Sequence, residues 1–193
     1  MLALFPGSRA QEIARHLDPF VETARALQRR DPALNVVVSA APHVEIARER
    51  CPYPLVHSAS FSVLRAADAA MCKSGTTTLE AAVAGCPLVV AYRTSAVTYA
   101  AAKRLVRIPH IGLVNVVAGR EVAPEFVQEA LVPARVAEVL AELLDVTSAR
   151  RMRMISELDR VRALLGEAGA AERVAAMAIE LAGGHGEATR SAS

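Results

Sequence analysis

The sequence predicts an α/β protein built on an open parallel sheet with helices on both faces. Short apolar runs alternate with stretches of helical period along the whole chain. The apolar runs are continuous rather than alternating in polarity, which is typical of strands buried on both faces. The length of 193 residues suits one domain of ordinary size and leaves no room for two full α/β domains. Together these features favour parallel strands joined by helical crossovers.

About six strands are predicted, and each is a short apolar run. They are Leu2–Phe5, Leu34–Ser39, Pro54–His57, Asp68–Cys72, Pro87–Tyr92 and His110–Val114. The runs LNVVVS and PLVVAY carry the clearest signal, because branched and apolar residues follow one another without interruption.

Helical period and capping signals predict the helices. They cover residues 12–29, His43–Arg50, Phe61–Ala67, Gly75–Ala84, Ser95–Val106, Glu125–Glu129, Pro133–Asp145, Ser148–Leu165 and Ala170–Ala182. Ser8, with Gln11 in capping-box style, is the expected N-cap of the first helix, and Gly85 is the expected stop of the fourth. We therefore expect a sheet domain over residues 1–146, further helices over 147–182 and a flexible tail over 183–193.

Composition excludes several classes of function. A net charge of +2 gives no argument for nucleic-acid binding. The three cysteines are too few and too far apart for a disulfide framework or a CxxC metal site, so we expect them to be reduced and buried. Five histidines without ligand spacing argue against a metal site, and no cofactor is expected. The longest apolar run, Ala81–Tyr92, is too short to span a bilayer, and Met1–Gly7 does not resemble a signal peptide.

The loop after the first predicted strand is the first candidate site, since ligands of open α/β sheets bind beyond the carboxyl ends of strands. Gly7 allows a tight turn and close approach of the backbone to a ligand, and Ser8 follows it. Arg9 lies at the positive end of a helix dipole, which is unfavourable unless an anion neutralises both. The loop therefore indicates a phosphate, and the alternative is an Arg9 side chain that points to solvent.

The loop after the fourth predicted strand is the second candidate. Its small and hydroxylated residues open a helix, as in anion-binding loops, without forming the GxxxxGK[ST] motif. These residues are Ser74, Gly75, Thr76, Thr77 and Thr78. Glu80 follows in the same helix, where its carboxylate can accept hydrogen bonds from a ribose diol. The alternative for Glu80 is an ordinary solvated helix residue.

Two further segments complete the candidate set. Tyr92 and Arg93 end the fifth predicted strand. After the last predicted strand, a polar loop carries Asn115, Gly119, Arg120 and Glu121, which could supply an amide, a cation and a carboxylate to a sugar nucleotide. The alternative is a surface ion pair between Arg120 and Glu121.

These motifs, taken in order, resemble the lipid-A-disaccharide synthase family. They are PGSR with Glu12 three residues on, KSGTTTLEAAVAGCPLVVAYR over 73–93, and the Asn115 to Glu121 loop followed by PEFVQE over 124–129. The resemblance covers residues 1–182, including the Gly169–Arg173 segment. The chain departs from the family pattern at Val114, where Leu-Pro-Asn is expected.

The resemblance implies an inverting glycosyltransferase of GT-B type, with this chain as its C-terminal, Rossmann-like, UDP-sugar-binding half. The family transfers from UDP-2,3-diacylglucosamine to 2,3-diacylglucosamine 1-phosphate and releases UDP. By similarity, Gly75–Thr78 would hold the pyrophosphate and Glu80 the ribose, with Arg9 stabilising the leaving phosphate. No general base is placed in this chain. Because Met1 opens directly on the first strand, we expect a fragment that lacks the N-terminal acceptor domain.

Two other readings stay open at this point. The chain could be a stand-alone UDP-binding module without catalysis, or another UDP-sugar glycosyltransferase or 2-epimerase of the same fold. The resemblance also implies peripheral contact with the cytoplasmic face of the inner membrane, because the substrates are acylated, and the cluster Lys103–Arg107 could assist it. It further implies a homodimer through the C-terminal helices.

Overall fold

The computed structural model describes residues 1–95, 99, 109–166 and 169–184. Within them, six strands form one parallel sheet, which confirms the predicted architecture. The strands are β1 Leu2–Phe5, β2 Val36–Ala40, β3 Leu55–His57, β4 Ala69–Lys73, β5 Leu88–Tyr92 and β6 Glu125–Val127. Their order in the sheet is β3-β2-β1-β4-β5-β6.

The described helices follow the strands in the expected alternation. They are α1 Ala10–Gln28, α2 Ser60–Ala66, α3 Thr77–Ala84, α4 Leu113–Ala118, α5 Pro133–Leu144, α6 Ala149–Leu165 and α7 Ala170–Gly184, with a 3-10 turn at Gln128–Ala130. Two predicted boundary signals are confirmed. Gly85 ends α3 in the left-handed conformation with φ +69°, and Pro133 opens α5.

The core lies on both faces of the central strands. Leu2 of β1 aligns with Val36 of β2 on one side and with Ala69 of β4 on the other, and all four β1 residues are buried. Helix α1 packs against α5, whereas α2, α3, α4 and α6 form a second group of packed helices. Continuous burial explains why these strands read as uninterrupted apolar runs.

The predicted last strand at His110–Val114 is wrong. Residues 113–118 form α4, and Glu125–Val127 takes the sheet edge beside β5, where the Val90 N–H donates to the Pro124 carbonyl at 2.9 Å. The branched residues of LVNVVA suggest a strand, but Gly119 ends a helix there with φ +67°. The predicted helix at Glu125–Glu129 is also wrong. Pairing of residues 125–127 with β5 overrides their local preference for a helix.

The predicted helix at His43–Arg50 is also wrong, since this segment consists of turns and irregular backbone. Val44 and Ile46 are buried and the intervening Glu45 is exposed. Burial of every second residue belongs to extended backbone, not to a helix. Pro42 and Pro52 bracket a segment too short to nucleate a helix without tertiary support.

Three expectations fall wholly or largely outside the described residues. The helix predicted over Ser95–Val106 and the basic cluster Lys103–Arg107 lie there, apart from residues 95 and 99. Of the tail predicted over 183–193, residues 183 and 184 belong to α7, and the remainder lies outside.

The sheet order positions the candidate site. The chain leaves β1 in one direction through β2 and β3, and in the other through β4, β5 and β6. The reversal between β1 and β4 is a topological switch point, where the loops that follow neighbouring strands separate and leave a crevice. Residues 6–9 follow β1 and residues 74–76 follow β4, so both candidate phosphate loops flank this crevice.

Candidate functional site

A cavity of about 420 Å³ opens at the switch point. Its volume is within the range of roughly 300–1,000 Å³ that is usual for small-molecule sites. It is lined by residues that follow four adjacent strands, namely Gly7, Ser8 and Arg9 after β1, Ser39–Pro42 around the end of β2, Ser58 and Ser60 after β3, and Ser74–Thr77 after β4, together with Glu12, Lys73 and Glu80. The structure thus brings the first two sequence-predicted loops to one cavity.

The loop after β1 has a conformation that requires glycine. Gly7 has φ +130°, and a Cβ atom placed on it would lie 2.6 Å from the Cβ of Glu12. The Glu12 carboxylate accepts the Ser8 N–H at 2.9 Å, so Glu12 rather than the Ser8 hydroxyl caps this helix start. Arg9, with extended φ and ψ, takes the N-cap position that we expected for Ser8.

Glu12 and Lys73 form an ion pair that sequence analysis missed as part of the site. Lys73 Nζ lies 2.9 Å from Glu12 Oε1, and both side chains are less than one-fifth exposed. Burial acts to raise the pKa of Glu12, but the hydrogen bonds from Lys73 and the Ser8 N–H lower it overall, so the carboxylate stays ionised. The pair joins the start of α1 to the end of β4, 61 positions later in the chain.

Arg9 lies above this pair. Its guanidinium Nη1 is 3.6 Å from Glu12 Oε1, and its side chain is 82% exposed. It contributes to the walls of both described cavities at this edge of the sheet. Arg9 is therefore a solvent-accessible cation beside a crevice, as an anion-binding role requires.

The start of α3 forms the opposite wall. Gly75, Thr76 and Thr77 line the cavity, and the first N–H groups of a helix have no intrahelical acceptor. The Ser74 hydroxyl donates to the Ile111 carbonyl at 2.6 Å. Thr78 is fully buried, donates to the Gly75 carbonyl at 2.8 Å and accepts the Val114 N–H, so its hydroxyl supports the loop from behind.

Glu80 lines the same cavity from the first turn of α3. Its carboxylate accepts a hydrogen bond from the Ser60 hydroxyl at 3.1 Å, and the residue is half-buried. Ser60, which no sequence motif singles out, orients this carboxylate from the start of α2.

Tyr92 lies in a second, smaller cavity of about 190 Å³ that shares Arg9, Glu12 and Lys73 with the first. Lys73 Nζ is 5.8 Å from the centre of the Tyr92 ring. His16, buried beside Tyr92, completes its inner wall.

The two ring nitrogens of His16 have different partners. Nε2 accepts the Arg93 N–H at 2.8 Å, so Nδ1 carries the proton and donates to the Glu12 carbonyl at 2.7 Å. Burial is the main cause of a lowered His16 pKa. A neutral histidine thus fixes the end of β5 against α1.

The third predicted loop is not brought to either cavity. Asn115 is fully buried, donates to the Ala123 carbonyl and to Glu125, and accepts the N–H groups of Val122 and Ala123. Gly119 ends α4, and Arg120 pairs with Glu157 of α6 rather than with Glu121. In this structure, Asn115 and Arg120 make structural contacts.

Other chemical features can be stated for the described part of the chain. There, no three His, Cys, Asp or Glu residues gather as metal ligands would. None of its helices is both long and apolar enough to cross a membrane. Cys51, Cys72 and Cys86 are buried and unpaired, and burial raises the pKa of Cys86 to about 12.

Comparison with known proteins gives consistent results. The family model for lipid-A-disaccharide synthetase matches residues 1–179. Lipid-A-disaccharide synthase of Syntrophus aciditrophicus (strain SB) is 40% identical over 188 residues, which are 93% of this chain and 49% of the relative. The same-named protein of Anaeromyxobacter dehalogenans (strain 2CP-C) is 41% identical over 182 residues, 90% of this chain and 47% of the relative. The chain thus spans about half the length of these curated relatives.

Solved structures show the same fold at low sequence identity. The spinosyn rhamnosyltransferase SpnG, complexed with thymidine diphosphate, matches with a TM-score of 0.53 and 17% identity over 84% of this chain and 41% of its own. The spinosyn forosaminyltransferase SpnP matches with a TM-score of 0.54 and 15% identity over 93% of this chain and 43% of its own. The matched motifs, the sheet order and the family model lead to one conclusion: this chain belongs to the lipid-A-disaccharide synthetase family.

Proposed function

We propose that this chain is the donor-binding half of an inverting lipid-A-disaccharide synthase. It binds UDP-2,3-diacylglucosamine for transfer to 2,3-diacylglucosamine 1-phosphate. The observation that carries the proposal is the single cavity in which Arg9, the start of α3 and Glu80 meet. A nucleoside diphosphate needs an anion site and a ribose acceptor in that arrangement.

The pyrophosphate is assigned to the space between Gly7–Arg9 and Gly75–Thr77. The N–H groups of Gly75–Thr77, which precede the first paired N–H of the helix at Thr78, and the dipole of α3 favour negative charge there, and Arg9 adds a solvent-exposed cation. Glu80, held by Ser60, would accept the ribose hydroxyls. The base would then lie against the residues that follow β2 and β3, which line the same cavity. Thymidine diphosphate in the same-fold rhamnosyltransferase supports binding of a nucleoside diphosphate by this architecture.

The reaction proposed is direct displacement at the anomeric carbon. The acceptor hydroxyl oxygen forms a bond to that carbon, a base takes the hydroxyl proton, and the bond to UDP breaks with its electron pair on the diphosphate. Arg9 and the α3 N–H groups would stabilise the charge that builds on this leaving group. The base is assigned to no residue of this chain.

Asn115, Gly119, Arg120 and Glu121 enter the proposal in a supporting role. The Asn115 side chain already makes hydrogen bonds to backbone groups of the α4–β6 connection. Its contribution would therefore be to hold the edge of the sheet beside Tyr92. Direct contact of Arg120 with substrate would require it to leave Glu157.

Two finer proposals concern partners. Acylated substrates place the working enzyme at the cytoplasmic face of the inner membrane as a peripheral protein. The C-terminal helices over 147–182 would form a homodimer, because α7 exposes a row of large apolar side chains, namely Val174, Met177 and Leu181.

Calorimetric titration with UDP tests the site. We expect binding by the chain, and a loss of roughly 10- to 100-fold in affinity for Arg9→Ala, as for a hydrogen bond to a charged group. Arg30→Ala removes the same charge beyond the far end of α1, about 28 Å away along a 19-residue helix, and should leave affinity unchanged. Absence of UDP binding by the folded chain would contradict the site.

A second assay separates a donor half from a stand-alone nucleotide-binding module. Disaccharide formation is measured with both lipid substrates, using the chain alone and then mixed with the N-terminal half of a relative. Turnover in either case supports the synthase, with the nucleotide site in its proposed role. Tight UDP binding without turnover in both cases supports the non-catalytic module.

A further inference from the structure

The smaller cavity is lined by two cationic residues, Arg15 and Arg93, that do not line the nucleotide site. In all, its lining includes four cationic residues, Arg9, Arg15, Lys73 and Arg93, and one acidic residue, Glu12. His16 is neutral there, because one ring nitrogen accepts a backbone N–H. The lining therefore has a formal excess of three positive charges in a space of about 190 Å³.

Two of these cations have no carboxylate partner. The ion pairs of the described residues include Arg9 and Lys73, both with Glu12, but neither Arg15 nor Arg93. The Arg93 guanidinium makes one long hydrogen bond to the Leu131 carbonyl, at 3.4 Å. Guanidinium groups without a carboxylate partner beside a cavity are suited to an oxyanion, which they can hold through two parallel N–H groups.

The cationic residues of this cavity lie on backbone that hydrogen bonds and packing hold in place. The Arg93 N–H is held by His16, and the Arg15 side chain stands on α1 next to that histidine. Lys73 is less than one-fifth exposed and lies against the Tyr92 ring. The cationic residues of this cavity thus come from three separate elements, α1, β4 and the end of β5.

Size and position select the ligand. Sites for whole small molecules measure roughly 300–1,000 Å³, so a cavity of about 190 Å³ suits one compact group. The two cavities share Arg9, Glu12 and Lys73, so a group in the smaller one lies directly beside a diphosphate in the larger one.

We propose that the Arg15–Arg93 cavity is a second anion subsite that binds a phosphate monoester next to the nucleotide diphosphate. This inference rests on the proposed function, in which the acceptor is a sugar 1-phosphate whose hydroxyl must reach the carbon attached to that diphosphate. An acceptor whose hydroxyl reaches that carbon carries its own phosphate on the same sugar, so a phosphate subsite in the cavity that adjoins the nucleotide site is within reach of it. Free phosphate has the same chemistry and is the second possible source.

The test is a titration of the UDP-saturated, isotope-labelled chain followed by amide NMR. Glucosamine 1-phosphate, inorganic phosphate and glucosamine are the three probes. We expect the first two to shift the Arg93 and Thr94 amide signals and glucosamine to leave them unchanged. Arg15→Gln and Arg93→Gln should each weaken glucosamine 1-phosphate binding at least fivefold while changing UDP affinity less than twofold. Arg30→Gln, which removes an exposed arginine elsewhere, should change neither.

The outcomes separate the two sources and the two proposals. Tighter binding of glucosamine 1-phosphate than of phosphate supports the acceptor as the source, and equal binding supports a general phosphate subsite. Displacement of UDP by either probe, or identical affinities in all variants, would overturn the subsite. If the wild-type chain does not bind UDP, the proposed function fails. The subsite is then tested by titrating glucosamine 1-phosphate without UDP. Weaker binding by Arg15→Gln and Arg93→Gln would support the subsite, and unchanged binding would overturn it.

Discussion

At the scale of the residue, Glu12 carries several roles that differ in their partners. Its carboxylate accepts the Ser8 N–H and pairs with Lys73, and its carbonyl accepts the His16 proton. These bonds hold the loop after β1, the end of β4 and, through His16, the end of β5. A single acidic residue, through its carboxylate and its backbone carbonyl, thereby links the elements that form both cavities.

Gly7→Ala should disturb this arrangement. The new methyl group would overlap Glu12, and φ +130° is strained for any residue with a Cβ atom, so we expect roughly 1–3 kcal/mol of destabilisation and a large loss of UDP affinity. Chemical unfolding and calorimetry measure the two effects. Gly85→Ala, at φ +69° with open space around it, has the conformational cost without the overlap. Equal UDP affinity in wild type and Gly7→Ala would show that the loop does not touch the ligand.

His16 should make stability depend on pH. Burial lowers its pKa below the ordinary value of 6.5, so the unfolded chain binds this proton at higher pH than the folded chain does. The free energy of unfolding therefore falls as pH drops through about 6.5, and is highest above it. Urea unfolding at several pH values checks this, and His16→Gln, which keeps an acceptor for the Arg93 N–H but does not titrate, should show a shallower decline. A decline of equal slope in both proteins would contradict it.

At the scale of the element, the α4–β6 connection shows how side-chain hydrogen bonds can hold a short strand whose own sequence does not predict it. The Asn115 side chain on α4 accepts the N–H groups of Val122 and Ala123. It also donates to the Ala123 carbonyl and to the Glu125 carboxylate of β6. Glu125 in turn accepts the N–H groups of Ile111 and Gly112. These contacts fix a three-residue strand that its own sequence could not specify.

Asn115→Ala should therefore lower the stability of the fold, with no direct effect on UDP binding. It leaves buried backbone groups without partners, and we expect a loss of roughly 2–4 kcal/mol. Thermal and urea unfolding measure it, with Val116→Ala, a 43% exposed neighbour on the same helix, as the control expected to change little. A normal stability combined with weakened UDP binding would instead assign Asn115 to the ligand.

At the scale of the whole molecule, topology explains which features could be predicted. Strands β1, β2, β4 and β5 are buried on both faces, so they appear as continuous apolar runs, and the loops after β1 and β4 follow from the order of the sheet. The pairing of Glu12 with Lys73 could not be predicted, because it joins residues 61 positions apart that only the folded sheet brings together. The same holds for β6, which is strand only because β5 offers it an edge.

The exposed face of α7 gives the last prediction, which concerns assembly. Val174, Met177 and Leu181, spaced three and four residues apart on one side of the helix, are each between 61% and 69% exposed. Burial against a second copy would remove this apolar area from water, so we expect sedimentation to show concentration-dependent dimers. The double variant Met177→Gln with Leu181→Gln should shift the equilibrium towards monomer, whereas Val146→Gln, equally exposed at 70% but beyond α5, should not. A chain that stays monomeric at high concentration would contradict the dimer and leave the α7 face for a different partner.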